Sequence, residues 1–362
     1  MKEILVYSLF FFSVLLNSQN ITAQTEEKVF TKYSSFSANE QTQFILSSKY
    51  GDIVCEVWDK DSIGIFTTIG VKSKKREALD KILNSVVIES NNFGNTVELE
   101  VDFADNASLV KSYLAKLDPF NSNELTINHK VKFPNGIDLE IINRFGNIMI
   151  EQNSGDITIN LEYGDLRLEN LDGNVDFELK SGRLIGRSLK RANLDVRNFD
   201  VRLKSVEHLN LEGQASEIKI DQAEFARIDL LSGELNIKEI SNIKGSASNT
   251  DLLLERVNKD IHLSIRNCSL IVEAFDSGVE NVVIDEVSST VDLNISNISF
   301  SLEAEVEDSQ FSVPKTVSNV TRNVLNEKNE HRTISLSYDG GGSGVTKFNF
   351  TGQRGSFFLI EN

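Results

Sequence analysis

Proline, cysteine and tryptophan are scarce in this chain of 362 residues, which contains three, two and one of them, respectively. Proline cannot donate a backbone hydrogen bond inside a sheet, so a chain with so few can form long central strands without interruption. Cys55 and Cys268 both alternate with apolar neighbours, which places them on the apolar side of a strand. The sequence favours two buried free thiols over a disulfide, and the pairing of the two is left open.

Histidine is also scarce, and none of the four histidines has a neighbour at metal-ligand spacing. They are His129, His208, His262 and His331. No serine lies in the glycine-rich context of a nucleophile elbow. We therefore expect no metal site, no bound cofactor and no catalytic residue.

Positive charge is in short supply, with 37 lysines and arginines against 54 aspartates and glutamates, a formal net charge of −17. Such a charge repels nucleic acid and anionic lipid, so nucleic acid is not an expected partner, whereas cations or cationic partners remain open. Apolar residues make up 40% and charged residues 25%, which is typical of a folded globular chain. The acidic residues are expected to lie mainly on the solvent face of a sheet.

Long apolar runs are missing except near the N-terminus, where residues 4–16 follow Lys2 and precede Thr22-Ala23-Gln24. This run is shorter than the roughly 20 residues that a membrane-spanning helix needs. A charged start, a short apolar core and a small-residue exit are typical of a secretory signal peptide. We expect residues 1–24 to be removed and the rest to be exported to the periplasm or the cell surface, with no transmembrane segment.

Glycine, by contrast, recurs every nine residues between Phe145 and Arg183. The repeated glycines are Gly146, Gly155, Gly164, Gly173 and Gly182, and Gly51 begins an earlier copy of the same unit. Each is followed by a short alternation of apolar and polar residues, which is the strand period. We expect these glycines at structural corners, where they adopt dihedrals that a side chain would not tolerate.

The alternation continues from residue 137 to residue 302, and it predicts an all-β fold. A short strand cannot bury its apolar side alone, but strands stacked on successive turns of a coil can. The repeat therefore favours a parallel β-helix over residues 137–302, with about eighteen to twenty-two residues in each turn. A β-sandwich, which also has alternating strands and frequent turns, is the competing fold.

The two ends depart from the repeat. Residues 25–136 are predicted to contain strands and two helices, at 74–84 and from Asp105 or Asn106 to Leu117. Residues 303–332 are predicted to form a loop, followed to residue 362 by strands that cap the coil.

These features resemble the exported, adhesin-like β-helix proteins of Gram-negative bacteria, a family of unknown function related to the auto-transporter adhesin head (GIN) domain. The resemblance is carried by the signal peptide, Tyr50-Gly51-Asp52-Ile53, the lysine-rich helix, Phe145-Gly146-Asn147-Ile148 and the glycine-rich C-terminal strand pair. It implies a right-handed parallel β-helix at the cell envelope. The motifs are repeat motifs, so no catalytic residue is carried over.

One basic cluster departs from the acidic background. Its members include Lys180, Arg183, Arg187, Arg197 and Arg202. In a coil of about nineteen residues Arg183 and Arg202 would stack on adjacent turns, giving an anion-binding surface for an acidic glycan or lipid head group. The alternative is a solvated face whose charge is balanced by Asp195 and Asp200.

The function predicted from these patterns is a non-enzymatic adhesin-like or scaffold protein of the cell envelope that offers a regular surface to a glycan or a protein. A calcium-binding roll is disfavoured because each nine-residue unit has only one reliable glycine and no second acidic position. One alternative is a carbohydrate-active β-helix enzyme, a polysaccharide lyase or glycosidase, although no pair of acids stands out. The other is a periplasmic accessory module of envelope signalling.

Overall fold

The fold is given by a computed structural model that describes residues 26–74, 76–104, 124–296, 298–340 and 344–361. Within these ranges the chain is nearly all β, with a single short helix. The predicted signal peptide and the predicted second helix lie outside the described residues.

The bounds of the elements are as follows. The helix α1 spans Arg76–Leu83, and the strands are β1 Glu26–Ser37, β2 Gln43–Lys49, β3 Ile53–Val57, β4 Ser62–Ser73, β5 Val86–Phe93, β6 Thr96–Phe103, β7 Glu124–Phe133, β8 Asp138–Arg144, β9 Ile148–Asn153, β10 Ile157–Arg266, β11 Ser269–Val272, β12 Asn281–Val287, β13 Thr290–Asn294, β14 Ser299–Glu307, β15 Gln310–Ser312, β16 Thr321–Asn326, β17 His331–Tyr338, β18 Val345–Gln353 and β19 Ser356–Ile360. All nineteen strands belong to one hydrogen-bonded sheet.

The early copy of the repeat joins the later ones directly. β2 pairs in parallel with β8, and β3 pairs in parallel with β9, with Ile53 opposite Ile148. The sequence match between these segments, 95 residues apart, therefore corresponds to physical stacking. On their other side β2 and β3 pair with β6 and β7, which connect to β5, β4 and β1 through antiparallel pairs.

The predicted first helix is confirmed as α1. Leu79 and Ile82 are buried, and the helix packs mainly against β4. Glu77 in its first turn and Lys81 in its last turn complement the helix dipole.

The long stretch β10 is not one straight strand, because at six non-glycine positions within it the backbone takes a positive φ. These are Tyr163 (59°), Ser181 (58°), Asn198 (51°), Ala215 (50°), Ser232 (64°) and Asn249 (52°). Tyr50 (66°) and Phe145 (62°) precede them, and Asn267 (51°) and Ser288 (55°) follow. We call these ten positions the corner residues. From Phe145 onward the corner residues recur every 17 to 21 residues, which is also the distance along the chain between paired parallel segments. The chain therefore bends at the same place in each repeat.

The parallel pairs have a regular offset. At the start of β10, Ile157 lies opposite Leu139 and Leu166 lies opposite Ile148, and polar contacts between the same segments are 18 residues apart. In the middle of β10 the contacts are 17 apart, as between Gln222 and Glu239. Towards the end they reach 21, as between Asp260 and Asn281.

The corner glycines are required for close approach and not, as the sequence suggested, for unusual dihedrals. A Cβ on Gly164 would lie 2.0 Å from the carbonyl oxygen of Gly146, and one on Gly182 would lie 1.9 Å from that of Gly164. The other members meet backbone carbonyl oxygens in the same way, at 2.1 Å for Gly51, 1.9 Å for Gly146, 2.2 Å for Gly155 and 2.0 Å for Gly173. None of the six has a positive φ; at four of these corners the preceding residue takes it.

The C-terminal part differs from the sequence prediction in two ways. Residues 303–332 are not one loop, because the apolar alternation at Val306 and Phe311 extends β14 and forms β15, and β16 follows. The last strands do not cap the sheet from outside. β18 lies between β12 and β14, and β19 lies between β13 and β15, so the outermost strand there is β16, which pairs only with β17 among the described strands.

The core is a continuous apolar column formed by the inward residues of each strand. Cys55 and Cys268 are both buried and free, so they do not form a disulfide. Burial raises the pKa of the Cys55 thiol to about 12, so it behaves as a small hydrophobic group. Apolar side chains fill the inward face, so a ligand can bind only at the outward faces or at the corners.

Candidate functional site: two cationic grooves

The five cations predicted as an anion-binding surface each lie against a carboxylate. The pairs are Lys180 with Glu178 (2.7 Å) and Glu162 (3.6 Å), Arg183 with Asp200 (3.1 Å), Arg187 with Glu169 (3.5 Å), Arg197 with Asp195 (2.9 Å) and Arg202 with Asp200 (3.0 Å). Both Asp195 and Asp200 act as the balancing acids of the alternative interpretation. A cation that already holds a carboxylate must exchange it before it can bind an anionic ligand.

The structure brings Arg183 and Arg202 together through one carboxylate. Arg183 Nε donates to Asp200 Oδ2 at 3.1 Å, and Arg202 donates to both oxygens of Asp200 at 3.2 and 3.0 Å. The two arginines therefore share one carboxylate, with Arg183 bonded to a residue seventeen positions away, and their direct stacking at an offset of nineteen stays a prediction. Asp200, however, takes up much of their hydrogen-bonding capacity.

Of the five predicted residues, only Arg202 lines a described groove, which we call the Arg202 groove. It has a volume of about 420 Å³, and Lys204, Lys219, Asp221 and Lys238 also line it. Lys219 is bonded to Glu217, and Lys238 lies 2.6 Å from Asp221. The hydrogen bond that each lysine donates to its carboxylate raises the pKa of that lysine, so both lysines stay protonated at neutral pH. Three of the four cations in this groove are thus paired.

A second groove, the Arg191 groove, has cations without such partners. It has a volume of about 450 Å³, and its lining includes Arg191, Asn193, His208, Phe225, Arg227 and Lys244. Among the residues that the structure describes, Arg191, Arg227 and Lys244 make no ion pair. Glu212 contributes a carboxylate to the lining.

An aromatic ring forms part of the same groove. The Lys244 ammonium lies 4.9 Å from the centre of the Phe225 ring, and the His208 ring lies 6.2 Å from it. Phe225 is half-buried, whereas Arg191, Arg227 and Lys244 are exposed. The groove therefore offers an apolar ring surface, free cationic donors and the amide of Asn193.

Sequence reasoning missed most of this groove because its residues are far apart in the chain. Its members recur every seventeen residues: Arg191, His208 and Phe225 form one row, and Asn193, Asn210, Arg227 and Lys244 form the next. The nine-residue glycine period, doubled to eighteen, does not align these positions. A search at the offset of seventeen would have found them.

The largest described cavity lies elsewhere and is acidic. It has a volume of about 600 Å³ and is lined in part by Asp285, Glu286, Glu305, Glu307 and His331. Glu286 is 2% exposed, and burial raises the pKa of its carboxyl. Its Oε2 accepts a hydrogen bond from the Ser289 amide at 3.0 Å, and its Oε1 has no partner among the described residues.

Glu286 also contributes to the packing of the C-terminal strands. A Cβ on Gly355 would lie 2.2 Å from its Oε1, so the carboxyl is packed directly against the turn between β18 and β19. Glu286 occupies an inward position of β12, where Val282 and Ile284 are also buried. The carboxyl therefore joins the C-terminal strands to β12.

The buried histidine is likewise part of the interior. His129 is 2% exposed, and its ring nitrogens lie 2.9 Å from Ser48 Oγ and 3.0 Å from Thr67 Oγ1. Burial lowers the pKa of His129 to about 4, so the ring is neutral at physiological pH. His208, His262 and His331 are not buried.

Neither a membrane-spanning helix nor a cluster of metal ligands is found among the described residues. No described helix is long and apolar enough to cross a membrane. In residues 26–74, 76–104, 124–296, 298–340 and 344–361, no group of three or more His, Cys, Asp and Glu side chains is placed to hold a metal ion.

Comparisons with known proteins complete the description of the site. No family model and no curated protein matches this chain. Among solved structures, the chain is similar to a candidate cell-adhesion protein from Clostridium sporogenes, with 10% identity and a TM-score of 0.21 over 92% of this chain and 100% of that one. It is also similar to a candidate lipid-binding protein from Parabacteroides distasonis (10% identity, TM-score 0.32, 91% of this chain and 96% of that one) and to a candidate adhesin from Parabacteroides merdae (8%, 0.27, 91% and 96%). These comparisons assign no family to the chain.

Proposed function

We propose that this chain is a non-enzymatic, adhesin-like protein of the cell envelope that holds an acidic glycan in the Arg191 groove. The observation that carries the proposal is the presence there of three unpaired cations, Arg191, Arg227 and Lys244, in a chain of net charge −17. The N-terminal signal peptide pattern supports export, to the periplasm or to the cell surface.

The chemistry of the groove fits a sugar acid. Carboxylate and sulfate groups form strong charge-assisted hydrogen bonds with guanidinium and ammonium groups. An aromatic surface such as Phe225 can pack against the apolar face of a sugar ring, and Asn193 can bond its hydroxyl groups. Salt screens charges over about 8–10 Å, so the distant acidic residues oppose binding less than the contacting cations favour it.

The regular surface that carries both grooves is, in our proposal, a right-handed parallel β-helix over residues 137–302. The parallel pairs at offsets of 18 and 21, the recurring corner residues and the glycines stacked on backbone carbonyls all support a coil. Right-handedness follows the general preference for parallel strand connections.

Cysteine cross-linking tests the coil within β10. Asn160 Nδ2 and Glu178 Oε2 lie 3.1 Å apart, as expected of neighbouring turns. In a coil, Asn160→Cys with Glu178→Cys should form a disulfide under mild oxidation, since neighbouring strands lie within bridging distance. The control pair, Asn160→Cys with Glu169→Cys, should not cross-link. Equal cross-linking of both pairs would contradict the coil.

A carbohydrate-active enzyme is the second candidate, and the acidic cavity is the observation that favours it. A buried carboxyl with a raised pKa, such as Glu286, has a property expected of a general acid. Its contacts with the turn at Gly355 and the Ser289 amide account for it as a structural group. We therefore rank the enzyme second, and a periplasmic accessory module of envelope signalling third.

One experiment separates binding from turnover. Wild-type protein is titrated with polygalacturonate, alginate and neutral dextran, and the same mixtures are assayed for new reducing ends and unsaturated products. We expect binding of at least one acidic polymer, weakened by salt, with no product. Product release would establish the enzyme instead, and failure to bind either acidic polymer would contradict the proposal.

Charge-matched variants locate the binding. Arg191→Gln with Arg227→Gln should lower the affinity about tenfold, because two charge-assisted hydrogen bonds are lost. Lys315→Gln with Lys347→Gln removes the same net charge at exposed positions outside the groove and should change the affinity less than twofold. An equal loss in both variants would indicate unspecific attraction.

A further inference from the structure

Three aromatic side chains stand in a row on one corner of the sheet, and we call them the aromatic row. The rings of Tyr50 and Phe145 are stacked with centres 5.5 Å apart and planes 4° apart. The rings of Phe145 and Tyr163 are stacked at 5.1 Å and 7°. Phe145 is 38% exposed and Tyr163 is 50% exposed, so these two rings face solvent, whereas Tyr50 at the other end of the row is partly buried against the core.

The three residues of the aromatic row have an unfavourable backbone conformation. All three aromatics are corner residues with φ between 59° and 66°, where bulky side chains are rare and strained. The corners that follow are Ser181, Asn198, Ala215, Ser232 and Asn249, which are small residues or asparagines. The chain therefore places bulky aromatic side chains at its first corners, in a conformation that small residues and asparagines occupy at the later ones.

One ring face at the end of the row is open. Phe145 has an aromatic ring on each side, but Tyr163 stacks only on Phe145 among the described residues. The next corner is Ser181, placed directly after Tyr163 in the row because Gly182 stacks on Gly164. A serine side chain is too small to cover an aromatic ring. One face of the exposed Tyr163 ring is therefore not covered by another aromatic ring, and we call the place beside it, at Ser181 and Gly182, the notch.

Hydrogen-bonding groups of both charges flank this notch. Before the corner lie Glu162 and Lys180, with 3.6 Å between the Glu162 carboxylate and the Lys180 ammonium. Arg144 binds Glu162 at 3.1 Å, and its guanidinium lies 5.8 Å from the centre of the Tyr163 ring. Beyond the corner glycines, on the other side of the row, lie the exposed Asp165 and Arg183.

The balance of these groups identifies a neutral ligand. Each cation beside the notch is paired with a carboxylate, Arg144 with Glu162, Lys180 with Glu178 and Arg183 with Asp200, so the notch has no unpaired cation, in contrast to the Arg191 groove. Paired charged side chains can accept and donate hydrogen bonds to hydroxyl groups without a charged ligand. An open aromatic face with a few fixed polar groups at its rim matches a ring that has an apolar face and a hydroxylated edge.

We infer that the notch between Tyr163 and Ser181 binds a neutral pyranose of a polysaccharide, stacked on the Tyr163 ring. The site is separate from the Arg191 groove, so its failure would leave the proposal for that groove intact. The sugar takes the place that a fourth ring would occupy in the aromatic row. Its hydroxyl groups then reach Glu162 and Lys180 on one side and Asp165 and Arg183 on the other.

Affinity electrophoresis of the full chain in gels containing dextran, a β-glucan, a galactan or a mannan tests this site. We expect at least one neutral polysaccharide to retard the wild type. Tyr163→Ala should lower the affinity for that polymer about tenfold, whereas Tyr163→Phe should retain it because the ring face is kept. Phe93→Ala, at a phenylalanine that is 73% exposed and outside the row, is the matched control and should behave as wild type.

A second variant blocks the notch without removing the Tyr163 ring. Ser181→Tyr should extend the aromatic row, cover the Tyr163 face and abolish retardation by the neutral polymer, while binding to polygalacturonate and the melting temperature stay near those of the wild type. The inference is overturned if no neutral polymer retards the wild type. It is equally overturned if folded Ser181→Tyr binds the neutral polymer as wild type does.

Discussion

Residues 145–183 and residues 190–250 are built from similar corners but use their surfaces differently. In the first stretch, which we call the strict stretch, glycines stack on backbone carbonyls and corner acids bond the next segment. Asp156 Oδ1, for example, accepts from both the backbone and the side chain of Asn174 at 2.9 Å. In the second, the loose stretch, the strict glycine period ends and the offset falls to 17.

Both stretches pair some of their cations. Lys180 and Arg183 hold carboxylates in the strict stretch, and Arg197, Arg202, Lys219 and Lys238 do so in the loose stretch. Arg191, Arg227 and Lys244, which line one groove of the loose stretch, make no ion pair among the described residues. The groove with unpaired cations therefore lies where the strict glycine period has ended, whereas the strict stretch carries the exposed end of the aromatic row.

The largest effect should come from breaking the glycine stack of the strict stretch. In Gly164→Ala the new Cβ would lie 2.0 Å from a backbone oxygen that cannot move alone, so we expect destabilisation by more than about 3 kcal/mol. Gly213→Ala in the loose stretch would meet the end of the Leu230 side chain at 2.8 Å and should cost about 1 kcal/mol. Urea unfolding measures both, and equal losses would remove the distinction between the stretches.

Low pH should destabilise the region next to the strict stretch, because the buried His129 lies there. Its pKa is about 4 in the fold against 6.5 ordinarily, so the unfolded chain takes up the proton first as the pH falls. Stability from this group is present above pH 6.5 and is lost towards pH 4, by about 3 kcal/mol in total. His129→Gln should reduce the pH dependence of unfolding by this amount, and an unchanged pH dependence in this variant would contradict the role assigned to His129.

A smaller loss of stability is expected at one corner of the loose stretch. There Ser216 follows the corner residue Ala215, at the place where the strict stretch has a glycine. Ser216 Oγ accepts from the Phe199 amide at 3.2 Å and donates to the Gln214 carbonyl at 2.9 Å. Ser216→Ala leaves a buried amide without its acceptor and should destabilise the fold by about 1.5 kcal/mol in thermal unfolding. Ser188→Ala, at an exposed serine, is the control; a similar change in both would show that the buried bond contributes nothing.

The smallest effect should come from the exposed corner aspartates in and next to the strict stretch, such as Asp156 and Asp138. They accept hydrogen bonds from the next segment, and we call them the acid ladder. Asp156→Ala removes the acceptor of two hydrogen bonds from Asn174, which is exposed and can bond water instead. We expect a loss of about 0.5–1 kcal/mol, measured by urea unfolding. A loss as large as that of Gly164→Ala would mean that the ladder, and not the glycine stack, holds the corners together.

Much of the scaffold could be predicted from the sequence because it depends on local repetition. Alternation located most strands, the helical period located α1, and the match between Gly51 and Gly146 identified segments that pair. The insertion of β18 between β12 and β14 could not be predicted, since it is a choice among strands with equivalent patterns. The role of the glycines was misjudged because a close approach between segments has no signature within one segment.

The candidate sites were harder to predict for the same reason. Arg183 and Arg202 were expected to stack on each other, whereas in the structure both bond Asp200, which was visible in the sequence only as a nearby acid. The Arg191 groove needs an offset of seventeen, which the glycine period does not contain. The open face of Tyr163 depends on the size of Ser181, a residue eighteen positions away.

Affinity for an acidic glycan, compared between two arginine pairs, tests the central claim most directly. Polygalacturonate is titrated calorimetrically into the wild type, into Arg191→Gln with Arg227→Gln, and into Arg183→Gln with Arg202→Gln. We predict about a tenfold loss for the first pair, whose arginines are unpaired, and less than a threefold loss for the second, whose arginines share Asp200. A loss confined to the second pair, or equal losses in both, would contradict the claim that the unpaired cations of the loose stretch form the binding site.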